Sequence, residues 1–284
     1  MPNILQIIAL AVVQGLAELL PVSSSAHVIV AEKLMGLDPS APATTLLLVM
    51  LHTGTMFAVI AYFWKRWRQI YFASAEAFKR IAILIVLATV ATGVVGGILM
   101  KLIGRYYFHN APHADVEQLF GHLELIAPAL AAVGILILGA GLYERRRVPA
   151  EKTGISRGRA VLVGVVQGLA LPFRGFSRSG ATISVAMLAG ISKEQAESFS
   201  FALAVVLTPA VIAREGLRLV QAKAVTGPTD PAAVLLPSLL GALAAFLAGL
   251  LALKWLSRWL ESGRWYLFGI YCLIAAAFVA GLAR

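Results

Sequence analysis

Six apolar runs, at 46–64, 81–103, 125–143, 199–219, 233–253 and 265–280, alternate with short polar breaks along the chain. Each is near the roughly 20 residues that a helix needs to cross a bilayer core, the last at the short end. Two further apolar regions, 4–34 and 159–190, are each interrupted by a polar cluster. In the second, Pro172, Arg174, Gly175, Ser177, Arg178, Ser179, Gly180 and Thr182 stand between VLVGVV and ISVAML. An uninterrupted membrane helix has no reason to carry two guanidinium groups and three hydroxyls there, because burying each charge in hydrocarbon is costly. Proline and glycine allow a local loss of helix. Both regions are therefore expected to be helix–loop–helix hairpins that enter the membrane and turn back, the alternative being that one of them spans it conventionally. Broken helices of that kind need protein or a water-filled cavity around them.

The polar breaks set the orientation. Residues 65–80 hold Lys65, Arg66, Arg68, Lys79 and Arg80 against Glu76, and 144–159 hold six basic residues against two acidic ones. With 254–264 these read as cytoplasmic under the positive-inside rule, and 104–124 and 220–232 as external. Tyr62, Trp64, Trp67, Tyr71, Trp259 and Trp265 fall near the predicted boundaries, as an interfacial belt does. On this count the first hairpin enters from outside and the second from inside, so the two halves have opposite orientation.

The halves also share sequence. VVQGLAELLPVSSSAH begins at Val12 and VVQGLALPFRGFSRSG at Val165, an offset of 153 residues with six identities in a row. The expected fold is an all-α polytopic membrane protein with an inverted-topology repeat, six full transmembrane helices and two re-entrant hairpins. It forms a single integral membrane domain over 1–284, with repeats of about 1–143 and 159–284 joined by the cytoplasmic loop 144–158. An inverted repeat sets two discontinuous helix pairs face to face near the midplane. Their N-terminal N–H groups then serve one shared anion.

Composition narrows the classes. The chain is 60% hydrophobic and only 13% charged, where a soluble domain carries about a quarter charged residues. The net charge of +10 sits in the loops between apolar runs, which topology explains and nucleic-acid binding does not. The single cysteine, Cys272, excludes an intrachain disulfide. MPNILQ lacks the basic start of a cleavable signal, so the first apolar run is expected to remain in the mature protein. No P-loop, CxxC pair or HExxH is present.

Candidate chemistry lies in the polar clusters. Arg178 between Ser177 and Ser179, with Thr182 beyond, offers a guanidinium fork and hydroxyls that match phosphate oxygens. The plainer reading, an arginine bracing a buried carboxylate, leaves the neighbouring hydroxyls without a task. Arg174 reads as a second phosphate contact, a partner for an acidic residue, or a group facing an aqueous vestibule. In the first cluster Glu18 is a carboxylate inside an apolar hairpin, which suits a base. Gln14 lies four residues earlier on the same helical face. Ser24 and His27 are three apart, and a hydroxyl needs such a neighbouring base before it attacks. Ser23, Ser24 or Ser25 singly also reads as a helix cap. His52-Thr53-Gly54-Thr55 lies inside a span, where packing through Gly54 competes with a cavity-lining role. His109, His113 and His122 with Asp115 and Glu117 read as a solvated loop ahead of a metal site.

At these residues the chain resembles the undecaprenyl-diphosphate phosphatase family of bacitracin-resistance membrane enzymes. The family's (E/Q)xxxE and PVSSxxH are matched by Gln14 to Glu18 and by Pro21 to His27. PGxSRSxxT is matched from Gly175 to Thr182, with Arg174 where the family has proline, and LHxGTxxAV is matched from Leu51 to Val59. The first carboxylate of the paired motif is Gln14 here, so a shared acidic role rests on Glu18. The resemblance implies hydrolysis of undecaprenyl diphosphate to undecaprenyl phosphate and inorganic phosphate, which recycles the lipid carrier of cell-wall synthesis. It implies catalytic Glu18, Ser24, His27 and Arg178. It implies substrate contacts from Gln14, Ser25, Arg174, Gly175, Ser177, Ser179 and Thr182. A divalent cation, Mg2+ or Ca2+, is implied with Glu18 and the substrate phosphates as ligands. So are homodimers, no nucleic-acid partner, and a site open to the external side of the bacterial cytoplasmic membrane. Ser24, His27 and water remain rival nucleophiles. The competing class is a transporter or flippase of a phosphorylated polyprenyl lipid, in which the same cradle binds a headgroup without breaking it.

Overall fold

The computed structural model describes residues 2–37, 42–106, 123–146, 154–226 and 231–282. Among them the secondary structure is ten helices and no sheet. They are α1 Ile4–Leu19, α2 Ser24–Leu34, α3 Pro42–Ile70, α4 Ala75–Tyr106, α5 Leu123–Arg146, α6 Arg157–Ala170, α7 Arg178–Leu188, α8 Lys193–Thr226, α9 Pro231–Glu261 and α10 Tyr266–Leu282. Four segments are long and apolar enough to cross a membrane: Leu46–Ile70, Ala75–Tyr106, Glu124–Arg146 and Leu235–Glu261. The chain is a multi-pass membrane protein. The expected span at 199–219 lies within the 34-residue α8, and that at 265–280 within the 17-residue α10. The two interrupted regions are broken helices, 16 and 11 residues in the first and 14 and 11 in the second. At about 1.5 Å per residue none of these four reaches across a hydrocarbon core alone. The histidine-bearing loop, with His109, His113 and His122, lies outside the described residues.

The helices pack as two compact units that interleave along the chain. One comprises Met1–Leu20, Ser24–Trp64 and Ala204–Leu256, and the other Pro21–Ser23, Lys65–Leu203 and Ser257–Arg284. In the first unit, Asn3 caps α1 reciprocally with Gln6, and Ile7, Leu10 and Ala11 of α1 pack with Val28, Leu47, Leu51 and Ala245. A Cβ at Gly54 would overlap the Ala242 carbonyl, so α3 and α9 cross with no room for a side chain there.

In the second unit α4 and α6 meet as closely, and a Cβ at Gly164 would overlap the Ala88 carbonyl. The Thr92 hydroxyl sits in this seam, 2.8 Å from Ala88 O and 2.9 Å from Gly164 O, and accepts from Gln167 Nε2 at 3.1 Å. The repeated VVQGLA is thus used alike in each unit. Its glutamines, Gln14 and Gln167, are both buried, and its glycines, Gly15 and Gly168, both lie where a Cβ would collide with a neighbouring helix.

Two aromatics depart from the expected interfacial belt. Trp67 and Trp265 are buried, their indole N–H groups donating to Ser198 Oγ and Ser184 Oγ at 2.9 Å each. A buried indole needs an acceptor, and serine supplies one inside the protein where a lipid headgroup would at the surface. Trp64 is half exposed.

Candidate active site

In the first unit the site is built on the end of α1. Residues 14 and 18 lie one turn apart, so Gln14 Nε2 donates to Glu18 Oε2 at 3.2 Å. Helix α2 begins at Ser24, whose hydroxyl donates to the same carboxylate oxygen at 2.5 Å. His52 Nε2 of α3 stands 3.9 Å from that oxygen. Its other nitrogen is 2.8 Å from Leu48 O, and since a carbonyl only accepts, Nδ1 carries a proton. Gln14 is buried, whereas Glu18, Ser24, Ser25 and His27 are partly exposed. His27 follows Ser24 by about one turn of α2. A serine proton directed at a carboxylate is the arrangement a general base requires.

In the second unit the site is built on the start of α7. Ser177 is the N-cap, its Oγ accepting from Gly180 N at 3.2 Å, so Arg178 and Ser179 occupy the first helical turn. The first N–H groups of a helix have no intrahelical acceptor, and the helix dipole favours an anion at that end. Arg178 and Arg174 are partly exposed, and Ser177 and Ser179 are buried. Gly175 brings the chain into this turn at φ +105°, and a Cβ there would lie 2.5 Å from Ile126 O. Thr182 is fully buried. Its hydroxyl lies 2.8 Å from Arg178 O and 2.7 Å from Ser200 Oγ, which ties the first turn of α7 to α8. The segment Pro21–Ser23 belongs to this unit. Pro21 O accepts from the Cys272 thiol at 3.4 Å, Pro21 Cβ lies beside Gly180, and Ser23 is buried at φ +68°. A non-glycine residue held in that region is strained, and such strain concentrates at functional loops.

Sequence reasoning left Ser200 and the link from Cys272 to Pro21 unnoticed. Ser200 is one more small polar residue in an apolar run, and nothing in its spacing separates it from a packing serine. His52 was visible as a polar residue in a span, but only the fold puts it beside Glu18. The threonines around it bond backward into their own helix, Thr53 to Val49 O and Thr55 to His52 O.

Among the described residues no three His, Cys, Asp or Glu side chains gather to hold a metal. Beside the Glu18 carboxylate stand the Gln14 amide, the Ser24 hydroxyl and, at 3.9 Å, the His52 imidazole. Such a set suits a hard cation that takes most of its oxygens from phosphate and water, as Mg2+ does beside one or two carboxylates.

By its parts the chain falls in the class of polytopic membrane proteins built on broken helices. The comparisons with known proteins agree. The profile of the family described as Bacitracin resistance protein BacA matches residues 7–278. Undecaprenyl-diphosphatase 2 of Acinetobacter baylyi is 57% identical over 284 residues, covering 99% of this chain and 98% of the relative. The undecaprenyl-diphosphatase of Desulfatibacillum aliphaticivorans is 34% identical over 97% of each chain. Undecaprenyl-diphosphatase 2 of Burkholderia thailandensis is also 34% identical, over 97% of this chain and 95% of its own. The chain belongs to the BacA family.

Proposed function

We infer that the protein hydrolyses undecaprenyl diphosphate to undecaprenyl phosphate and inorganic phosphate at the external face of the bacterial cytoplasmic membrane. The enzyme is a hydrolase of the undecaprenyl-diphosphatase class. The observation that carries the mechanism is the Ser24 hydroxyl donating to Glu18. In the reaction Ser24 Oγ attacks the terminal phosphorus, its proton passes to Glu18, and the bond from that phosphorus to the bridging oxygen breaks. Undecaprenyl phosphate leaves, and water then cleaves the phosphoserine. Arg178, with Ser177 and Ser179 at the start of α7, binds the diphosphate and stabilises charge as it spreads over the transferring oxygens. Thr182 acts on that cradle from behind, through the backbone it holds. A divalent cation would be held by Glu18 and the phosphates, with Gln14 as neutral partner, and supplies charge neutralisation when bound.

The re-entrant topology is supported by the four short helices and by the like use of VVQGLA in both units. Six spans, opposed halves and the cytoplasmic placing of the basic loops follow the charge pattern.

The test is phosphate release from undecaprenyl diphosphate by the purified protein in detergent, followed by rapid quench and mapping of any phosphorylated residue. Phosphate on Ser24 is the expected result, with chelator lowering turnover and Mg2+ or Ca2+ restoring it. Phosphate on His27, or none, moves the nucleophile to histidine or to water. Lipid translocation in vesicles with no phosphate released would replace hydrolysis by transport.

A further inference from the structure

A cluster of basic side chains lies outside these motifs, where α4 and α6 begin. A groove of about 530 Å³ opens between the first turns of α4 and the segment entering α6. That volume falls in the range of small-ligand clefts. Its rim carries Lys79 and Arg80 from α4 and Arg157 from α6, all exposed, against the single carboxylate of Glu76. Its floor is apolar, with Ile83 and Leu84 one turn further along α4. A smaller cavity of about 260 Å³ adjoins it through Arg80 and Leu84, and adds Arg66 with Tyr71, whose hydroxyl is 3.1 Å from Ser198 Oγ.

The backbone at this groove is held in place. Arg159 Nη1 donates to Gly154 O at 2.9 Å, and Arg159 N donates to the N-cap hydroxyl of Ser156. Arg80 lies against the same backbone, its Nη2 only 3.7 Å from where a Cβ on Gly154 would stand. The apolar run of α4 begins at Ile81, directly after these cations. The groove therefore has charge at the depth where a helix leaves the hydrocarbon and apolar walls just inside it. That layout fits an amphiphile, with a phosphate at the rim and acyl chains along α4. Basic pockets between membrane helices bind anionic headgroups in this way.

We propose that the groove at the start of α4 and α6 is a binding site for an anionic phospholipid headgroup of the phosphatidylglycerol type, separate from the hydrolytic motifs. Charge complementarity selects this occupant over a zwitterionic lipid, and the apolar floor selects it over a free anion. Occupancy stabilises the second unit, because a ligand that binds only the folded form raises its stability.

The experiment measures the melting temperature of the full-length protein in neutral detergent, with phosphatidylglycerol, phosphatidylcholine or inorganic phosphate added. Phosphatidylglycerol is expected to raise it by about 2–4 °C, and the other two to leave it unmoved. The triple variant K79Q/R80Q/R157Q should lose the shift while keeping phosphate release in lipid-free detergent. Ile83→Trp, which fills the floor and keeps every charge, should lose it as well. If the triple variant does not fold, Ile83→Trp with lipid counting by native mass spectrometry decides. An equal response to phosphatidylcholine would overturn the proposal. So would a shift produced by inorganic phosphate alone, or a full response retained by a folded variant.

Discussion

Ser24 Oγ donates to Glu18 Oε2 at 2.5 Å across the break between α1 and α2, and Gln14 Nε2 donates to the same oxygen from one turn back. Three elements of local sequence produce this: the i, i+4 spacing on α1, the turn through Pro21, and the start of α2 at Ser24. For a Ser24 nucleophile, this carboxylate is the group in position to take the proton.

Replacing Glu18 by Gln keeps the shape and removes the base. Turnover of undecaprenyl diphosphate should fall about 10²- to 10⁴-fold, with KM little changed. A variant retaining a tenth or more of wild-type kcat would show that the carboxylate does not accept the proton. Ser24→Ala should fall at least as far, and its quenched reaction should contain no phosphoserine.

If Arg178 in the first turn of α7 binds charge that grows in the transition state, Arg178→Ala should lower kcat by orders of magnitude in a folded protein. Arg178→Lys keeps the charge and loses the planar fork, and should recover only part of the rate. Full recovery with lysine would mean that a point charge suffices, and would remove bidentate binding from the mechanism.

Gly175→Ala meets two obstacles at once, a φ of +105° and a Cβ 2.5 Å from Ile126 O. The strain alone costs about 1–3 kcal/mol. The expected result is a lower melting temperature with activity reduced along with it, because the turn leads directly into the Ser177 cap. Unchanged melting would show that the turn relaxes without loss.

Glu197 supplies a pH dependence. It is buried in the first turns of α8, before the apolar run opens at Phe199, and accepts from Ser257 Oγ at 2.7 Å. Burial pushes its carboxyl up to about 7, with nearby Glu261 and Glu194 adding to the rise while the Ser257 hydrogen bond and Arg66 oppose it. The folded form thus holds its proton more tightly than the unfolded chain. Its stabilising contribution is complete below the ordinary carboxylate value of 4.5, is lost as pH rises toward about 7, and stays lost above. The span corresponds to about 3 kcal/mol. Melting temperature should therefore decline between those limits, and Glu197→Gln should flatten the decline. An identical slope in the variant would assign the titration to another group.

Much of this protein was legible in its sequence. Four spans and both broken helices could be read from it, because membrane crossing needs an apolar run of fixed length and a polar knot inside one interrupts the helix. The pairing of Gln14 with Glu18 was legible too, since helical spacing alone brings them together.

Tertiary packing decided the rest. Which tryptophans sit inside the protein, which hydroxyl holds Thr182, and which histidine stands beside Glu18 depend on contacts such as Trp265 with Ser184, 81 residues apart in the chain. A pattern of apolar and polar positions records which face of a helix is buried. It does not record against what, because any serine or alanine on the facing helix satisfies the same pattern. Partners separated by tens of residues are chosen by the way whole helices cross, and that choice exists only once the chain has packed.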